Sequence, residues 1–281
     1  MTDLISVIVA TYNRPDALDA VLRSLARQSD QDFEVLVADD GSKPDTASIV
    51  AGWKGRLGRR VVHVWHPDEG FRLAEIRNRA VLIATGGYCI FLDGDCLARP
   101  NFIAAHRALA EPGWFVTGNR ILMSRALSQR VLSEQLPAEC WNGSAWLARR
   151  LGGEINRLGA LFSLPLGPLR KMHARAWRGA RACNLGIWRS DLDVVNGFDS
   201  GFSGWGREDS DLFVRLMRAG VRRKDGRMAT GVLHLWHAEA DRSRLEENER
   251  RLKAVLAGDR IQAAQGLSAL RDERTTGAIV S

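Results

Sequence analysis

The chain has no Cys-X-X-Cys pair; its four cysteines, Cys89, Cys96, Cys140 and Cys183, are scattered. That excludes a disulfide framework, argues against structural zinc and fits a reducing compartment. No apolar run reaches the roughly 18 residues that a membrane helix needs. No signal peptide opens the sequence, because polar Thr2 and Asp3 lead straight into an apolar strand pattern. The expectation is therefore a cytoplasmic protein, soluble or attached to a membrane surface. The lack of a GxGxxG segment excludes a Rossmann dehydrogenase. No glycine- and lysine-rich triphosphate loop follows the first strand, which counts against a nucleotidyltransferase. Repeats and low-complexity linkers are absent too.

Acidic residues are scarce in one stretch. Between Arg120 and Arg189, twelve Arg and Lys face three acids, Glu134, Glu139 and Glu154. That stretch is +9 within a chain of +7, so the remainder is −2. A local basic block points to an anionic partner: nucleic acid, anionic lipid or a phosphorylated acceptor. The block holds no recognised nucleic-acid motif, which argues against the first.

What is present is an α/β pattern in 281 residues, 45% of them hydrophobic. Buried strands are predicted at 4–10, 33–38, 60–65 and 87–92, with helices from Pro15, around 45–53 and over 73–84. Strands alternating with helices predict a mostly parallel sheet with helices on both faces. Ligands then bind beyond the carboxyl ends of the strands. Further on, helices are predicted at 101–110, 208–219 and 242–256, and strands at 114–118, 182–188 and 230–235. From Trp141, Leu147, Leu151, Ile155, Leu158 and Phe162 recur at helical steps, predicting one amphipathic basic helix that ends before Pro165 and Pro168. The domain reading is a single unit over 1–258. Residues 1–118 form its first half, and 119–258 a more elaborate second half with a basic helical insertion at 141–181. A helix or tail follows over 259–281.

Acidic clusters fall where the strands end. Asp93-Gly94-Asp95 can offer two carboxylates to a hard divalent cation, or can be an ordinary turn. Asp39-Asp40-Gly41-Ser42 can accept hydrogen bonds from a base or ribose, or can cap the next helix. Trp205-Gly206-Arg207-Glu208-Asp209-Ser210-Asp211 opens a helix. Its acids suit the helix dipole, but the aromatic between glycines suits a mobile sugar platform and an adjacent carboxylate suits a general base. His234 and His237 follow a strand and can add imidazole to a metal held by carboxylates.

In this order, these segments resemble inverting nucleotide-sugar glycosyltransferases of family 2, with the GT-A fold. Ser6 to Arg14 and Val37 to Ser42 are similar to that family's nucleotide-binding opening. Glu69 to Asn78 resembles the chondroitin-polymerase type, and Gly204 to Asp209 the Trp-Gly-X-Glu-Asp segment shared with β-1,4-galactosyltransferases. The resemblance spans Ser6 to Asn248. It implies that Thr11, Tyr12, Asp39 and Asp40 line a uridine pocket and that Arg77 faces the diphosphate. It also implies that Asp95 ligates Mn²⁺ (or Mg²⁺), with Asp93 touching ribose or metal. His237 matches the second ligand of the galactosyltransferase pattern, and His234 stands where that pattern has Met. Asp209 is implied as the base, Glu208 as its acceptor-binding neighbour, and Trp205 and Gly206 as the acceptor lid. Arg207 replaces the commoner Gly. The Gln-X-X-Arg-Trp signature of processive synthases is missing, which implies transfer of a single sugar. The implied donor is a UDP-sugar of the Gal, GalNAc or GlcNAc type. The implied acceptor is a glycan or lipid-linked saccharide in cell-surface polysaccharide or lipopolysaccharide synthesis; the basic block with its apolar face either meets an anionic membrane surface or packs on the sheet with the arginines solvated.

Overall fold

The computed structural model describes residues 4–239 and 241–275. The first half runs β1 (Ile5–Thr11), α1 (Pro15–Ala26), β2 (Phe33–Asp39), α2 (Pro44–Arg56), β3 (Val61–Trp65), α3 (Leu73–Ile83), β4 (Tyr88–Asp93) and β5 (Cys96–Ala98). It continues with α4 (Phe102–Leu109), β6 (Trp114–Thr117), β7 (Arg120–Leu122), α5 (Arg125–Ser133), α6 (Gly143–Leu151) and β8 (Asn184–Trp188). The chain then forms α7 (Arg189–Val194), α8 (Glu208–Arg218), β9 (Arg222–Asp225), β10 (Val232–His234), α9 (Leu245–Ala257) and α10 (Leu267–Thr275).

Seven strands make one sheet in the order β3-β2-β1-β4-β8-β6-β9. All are parallel except β8, which runs antiparallel to both β4 and β6. The central strands are mostly apolar because helices cover both faces, and successive side chains alternate between them. Ile5, Val7 and Val9 pack with α1 and α2, while Ile8 faces α3 and α8. Likewise Ile90 and Leu92 of β4 enter the first core, and Cys89 and Phe91 the second. Pro15 starts α1, where a missing N–H costs nothing, and Leu18, Val21, Leu22 and Leu25 bury its inner face. A second sheet, β5-β10-β7, is made of three-residue strands too short to read from a pattern. Both sheets take strands from each side of residue 118. Leu267 of α10 is fully buried in the second core.

One expectation fails. The amphipathic helix predicted from Trp141 through Phe162 ends at Leu151. Gly152 and Gly153 follow, and Gly153 takes φ +70°, a left-handed conformation that stops a helix and that glycine adopts without a Cβ penalty. Beyond it, Ile155 is buried in an antiparallel bridge with Met123, and Leu158 packs beside the first core. Leu147, Leu151 and Phe162 remain exposed. The helical spacing therefore spans a helix and a loop, and the apolar residues do not share one face.

Candidate active site

The carboxyl ends of β1, β2 and β4 lie level: Thr11 pairs with Asp39, and Ala10 with Asp93. Thr11 is buried, and its hydroxyl has no partner among the described residues. Tyr12 is exposed, its hydroxyl donating to Asp68 at 2.9 Å. Asp39 and Asp40 are buried and already engaged. Asp39 accepts from the Ser42 backbone N–H at 2.8 Å and meets His63 Nε2 at 2.8 Å. Asp40 meets His66 Nε2 at 2.7 Å and accepts from the Arg72 backbone N–H at 2.9 Å. His66 is buried; burial pulls its pKa down, but the hydrogen bond to Asp40 and the Glu75 carboxylate 3.7 Å from Nδ1 outweigh this and raise it. His66 and Arg79 in turn hold Glu75 at about 2. The two aspartates thus shape the loop at this sheet edge. A lone histidine gave no sequence signal for the role of His66.

At the end of β4, Gly94 makes the turn possible. Its N–H donates to the Ala10 carbonyl at 2.7 Å, and a Cβ there would stand 2.7 Å from that same oxygen. The turn aims Asp95 at β10, where Asp95 Oδ2 lies 3.5 Å from His234 Nε2 and 3.4 Å from His237 Nε2. Ligand atoms of these three residues all fall within 4.8 Å of one another. His237 Nδ1 is 2.6 Å from the Ala238 carbonyl, which can only accept, so Nδ1 carries a proton and Nε2, on the Asp95 side, is the nitrogen that could ligate. Burial pushes His234 down to about 4, leaving it neutral and free to ligate. One carboxylate and two imidazoles fit a divalent transition cation with positions open for oxygen ligands. Asp93 is not in this cluster; its Oδ1 accepts from Arg77 Nη2 at 2.9 Å.

Arg77, on α3, is 2% exposed. Its guanidinium sits between Asp93 and Glu208, with Nη1 3.6 Å from Glu208 Oε1, and over the Phe198 ring at 5.3 Å. Glu208 starts α8 in a buried position. Burial, then the charge of Asp209, lifts its pKa to about 7. Asp209 is half-buried. The preceding loop is tied down: Gly204 N–H donates to Phe71 O at 2.9 Å, and Asn248 Nδ2 to Ser203 O at 3.1 Å. Arg207 takes φ +78° and pairs with Glu249 at 2.8 Å. Trp205 is half-exposed, with the Arg242 guanidinium 5.0 Å from its ring centroid.

The structure therefore brings Asp95, His234 and His237 into one group, and Arg77, Asp93 and Glu208 into a second that Asp93-Gly94-Asp95 joins to the first. Two residues of this region were absent from the sequence reading: His66 and Arg120. The second belonged to a basic block with nothing to single it out.

Comparison with known proteins bears on the family and the fold. The profile of glycosyl transferase family 2 matches residues 6–157, and that of the N-terminal domain of galactosyltransferase matches residues 170–238. Validoxylamine A glucosyltransferase of Streptomyces hygroscopicus subsp. jinggangensis is 33% identical over 242 residues, covering 82% of this chain and 55% of the relative. Chondroitin synthase of Pasteurella multocida is 28% identical over 239 residues, covering 80% of this chain and 24% of the relative. The chain thus spans about half the length of its glucosyltransferase relative, 55%, and a quarter or less of the synthase. Among solved structures, S. aureus TarS 1–349 in complex with UDP superposes with a TM-score of 0.59 at 18% identity, covering 95% of this chain and 68% of that one. GalNAc-T7 with UDP, GalNAc and Mn²⁺ gives 0.59 at 16% identity, covering 85% and 45%. The fold is the GT-A fold, and the chain belongs to glycosyl transferase family 2.

Proposed function

We propose that this protein transfers a single sugar from a UDP-sugar to a saccharide acceptor, with inversion at the anomeric carbon and a bound divalent metal. The observation that carries the reading is the convergence of Asp95, His234 and His237 beside the Asp93–Arg77–Glu208 group at one sheet edge. Neighbours of the same fold hold UDP, UDP-GlcNAc, and UDP with GalNAc and Mn²⁺. Two imidazoles in the donor set favour Mn²⁺ over Mg²⁺, which prefers oxygen. When bound there, the cation supplies positive charge to the departing diphosphate.

The chain's own groups divide the remaining work. Thr11 and Tyr12 border the uridine pocket, and Asp39 and Asp40 fix its loop. Asp209 takes the acceptor hydroxyl proton. Glu208, neutral below about pH 7, donates a hydrogen bond to the acceptor. Trp205 offers a flat face to a sugar ring. The acceptor is a glycan or lipid-linked saccharide of cell-surface polysaccharide or lipopolysaccharide synthesis. The exposed apolar and arginine side chains of 147–181 seat the enzyme on an anionic membrane surface.

The test is turnover of UDP-Gal, UDP-GalNAc and UDP-GlcNAc with Mn²⁺, read as UDP release. Chelator is expected to abolish it and Mn²⁺ to restore it. Asp95→Ala is expected to abolish it with the fold retained. Full turnover in excess chelator overturns the metal role, and release of pyrophosphate from a nucleoside triphosphate overturns the reaction class.

A further inference from the structure

Arg77 is 2% exposed, with Nη2 hydrogen-bonded to Asp93 and Nη1 3.6 Å from Glu208, so little of its guanidinium is accessible to a diphosphate. Arg14, whose charge reaches His234, is paired with Asp16 at 3.1 Å. Arg120 is different. It is half-buried in β7, and its guanidinium makes no hydrogen bond or ion pair with any described residue. The charges of Asp93 and Asp95 favour it from a distance, and its five donors are left for an incoming anion.

Its direction follows from strand register. In β5-β10-β7, Arg120 pairs with Val232, Leu122 with His234, and His234 with Cys96. Alternate residues share a face, so Arg120, His234 and Cys96 lie together on one side, and Ile121, Leu233 and Leu97 on the other. The offset between Arg120 and His234 is two residues, roughly 6–7 Å along the strand, which an arginine side chain can span. The charge of Arg120 is felt by Asp93, Asp95 and His234.

We infer that Arg120 binds the β-phosphate of the nucleoside diphosphate beside the Asp95–His234–His237 group and stabilises it as the leaving group. The inference rests on the proposed sugar transfer. In that step the acceptor oxygen bonds to the anomeric carbon and its proton passes to Asp209. The broken C–O electron pair stays on the β-phosphate oxygen, where a forked guanidinium meets the new charge.

Binding of UDP and of UMP, measured by calorimetry with Mn²⁺ present, tests this without relying on turnover. Wild type is expected to bind UDP more tightly than UMP. Arg120→Gln is expected to weaken UDP about ten- to a hundred-fold and to leave UMP within about two-fold, since only UDP carries the β-phosphate. Arg120→Lys keeps the charge without the fork and is expected to recover part of the loss. Melting curves confirm that both variants fold; if Arg120→Gln does not, the Arg120→Lys difference between UDP and UMP decides. Equal loss of UDP and UMP, or no loss of either, overturns the role of Arg120 and leaves the transferase reading standing. Failure of wild type to bind UDP at all overturns both.

Discussion

Glu208 and Asp209 are neighbours in sequence, yet their surroundings differ. Glu208 is buried beside Arg77 and its pKa rises to about 7, whereas half-buried Asp209 supplies part of the charge that lifts it. This separation favours Asp209 as the proton acceptor and Glu208 as a neutral donor. Asp209→Asn is expected to lower kcat by about 10²–10⁴ with UDP affinity retained. Turnover within a few-fold of wild type would move the base to Glu208. The raised pKa of Glu208 also sets a sign for stability. The folded state keeps the proton after the unfolded chain has lost it at about pH 4.5. Stability from this group is therefore full below pH 4.5 and is lost as pH rises towards about 7. Wild type is expected to lose stability relative to Glu208→Gln across that window, read as urea midpoints at several pH values. A constant difference between the two would refute the raised pKa. Most residues at this scale were legible because they sat in ordered motifs at strand ends. His66 and Arg120 were not, because their meaning depends on partners distant in sequence.

Single elements carry the site through a few long-range clips. Asn78, one position after Arg77 on α3, donates through Nδ2 to the Phe198 carbonyl at 2.8 Å and accepts from the Phe198 N–H at 2.9 Å. The Phe198 ring then lies under the Arg77 guanidinium. One buried amide thus fixes α3, Arg77 and the chain leading into α8. Asn78→Ala leaves a buried N–H and C=O unpaired and is expected to cost about 2–4 kcal/mol in urea unfolding. A loss below about 0.5 kcal/mol would show that the clip is not structural. Asn78 closes the Glu69-to-Asn78 segment, but its partner 120 residues away was invisible to local pattern. The same limit hid β5 and β7, which are too short for alternation to register, and merged α6 with the loop beyond Gly153. The long apolar strands β1, β2 and β4 were legible because burial on both faces leaves little choice of residue.

Across the whole molecule, the alternation of strand and helix in the first hundred residues foretold the sheet. The basic block foretold a surface but not its shape. In the structure that surface is built by Arg170, which is buried and donates to the Leu164, Asp225 and Arg227 carbonyls at 2.7–2.8 Å. This clamps the loop against the end of β9 and leaves Leu169 and Met172 outward, 61% and 70% exposed. Phe162 and Leu164 are exposed on the same loop, and Leu147 and Leu151 on α6. Exposed Arg150, Arg157, Arg175, Arg178 and Arg181 form no ion pair among the described residues. No helix among those residues is long and apolar enough to cross a membrane. Apolar side chains beside unpaired arginines match an anionic bilayer face, where each basic residue contributes about 1 kcal/mol. Burying a leucine or methionine side chain adds about 1.5–3 kcal/mol when complete. The protein is therefore expected to co-sediment with phosphatidylglycerol-containing vesicles and not with phosphatidylcholine alone. Raising salt should weaken binding, because the screening length falls to about 10 Å at 0.1 M. Leu169→Asp with Met172→Asp is expected to reduce partitioning about ten-fold or more while UDP binding stays intact. Absence of co-sedimentation at low salt, or indifference to both the lipid charge and these two substitutions, would refute membrane seating and leave the arginines as a solvated surface.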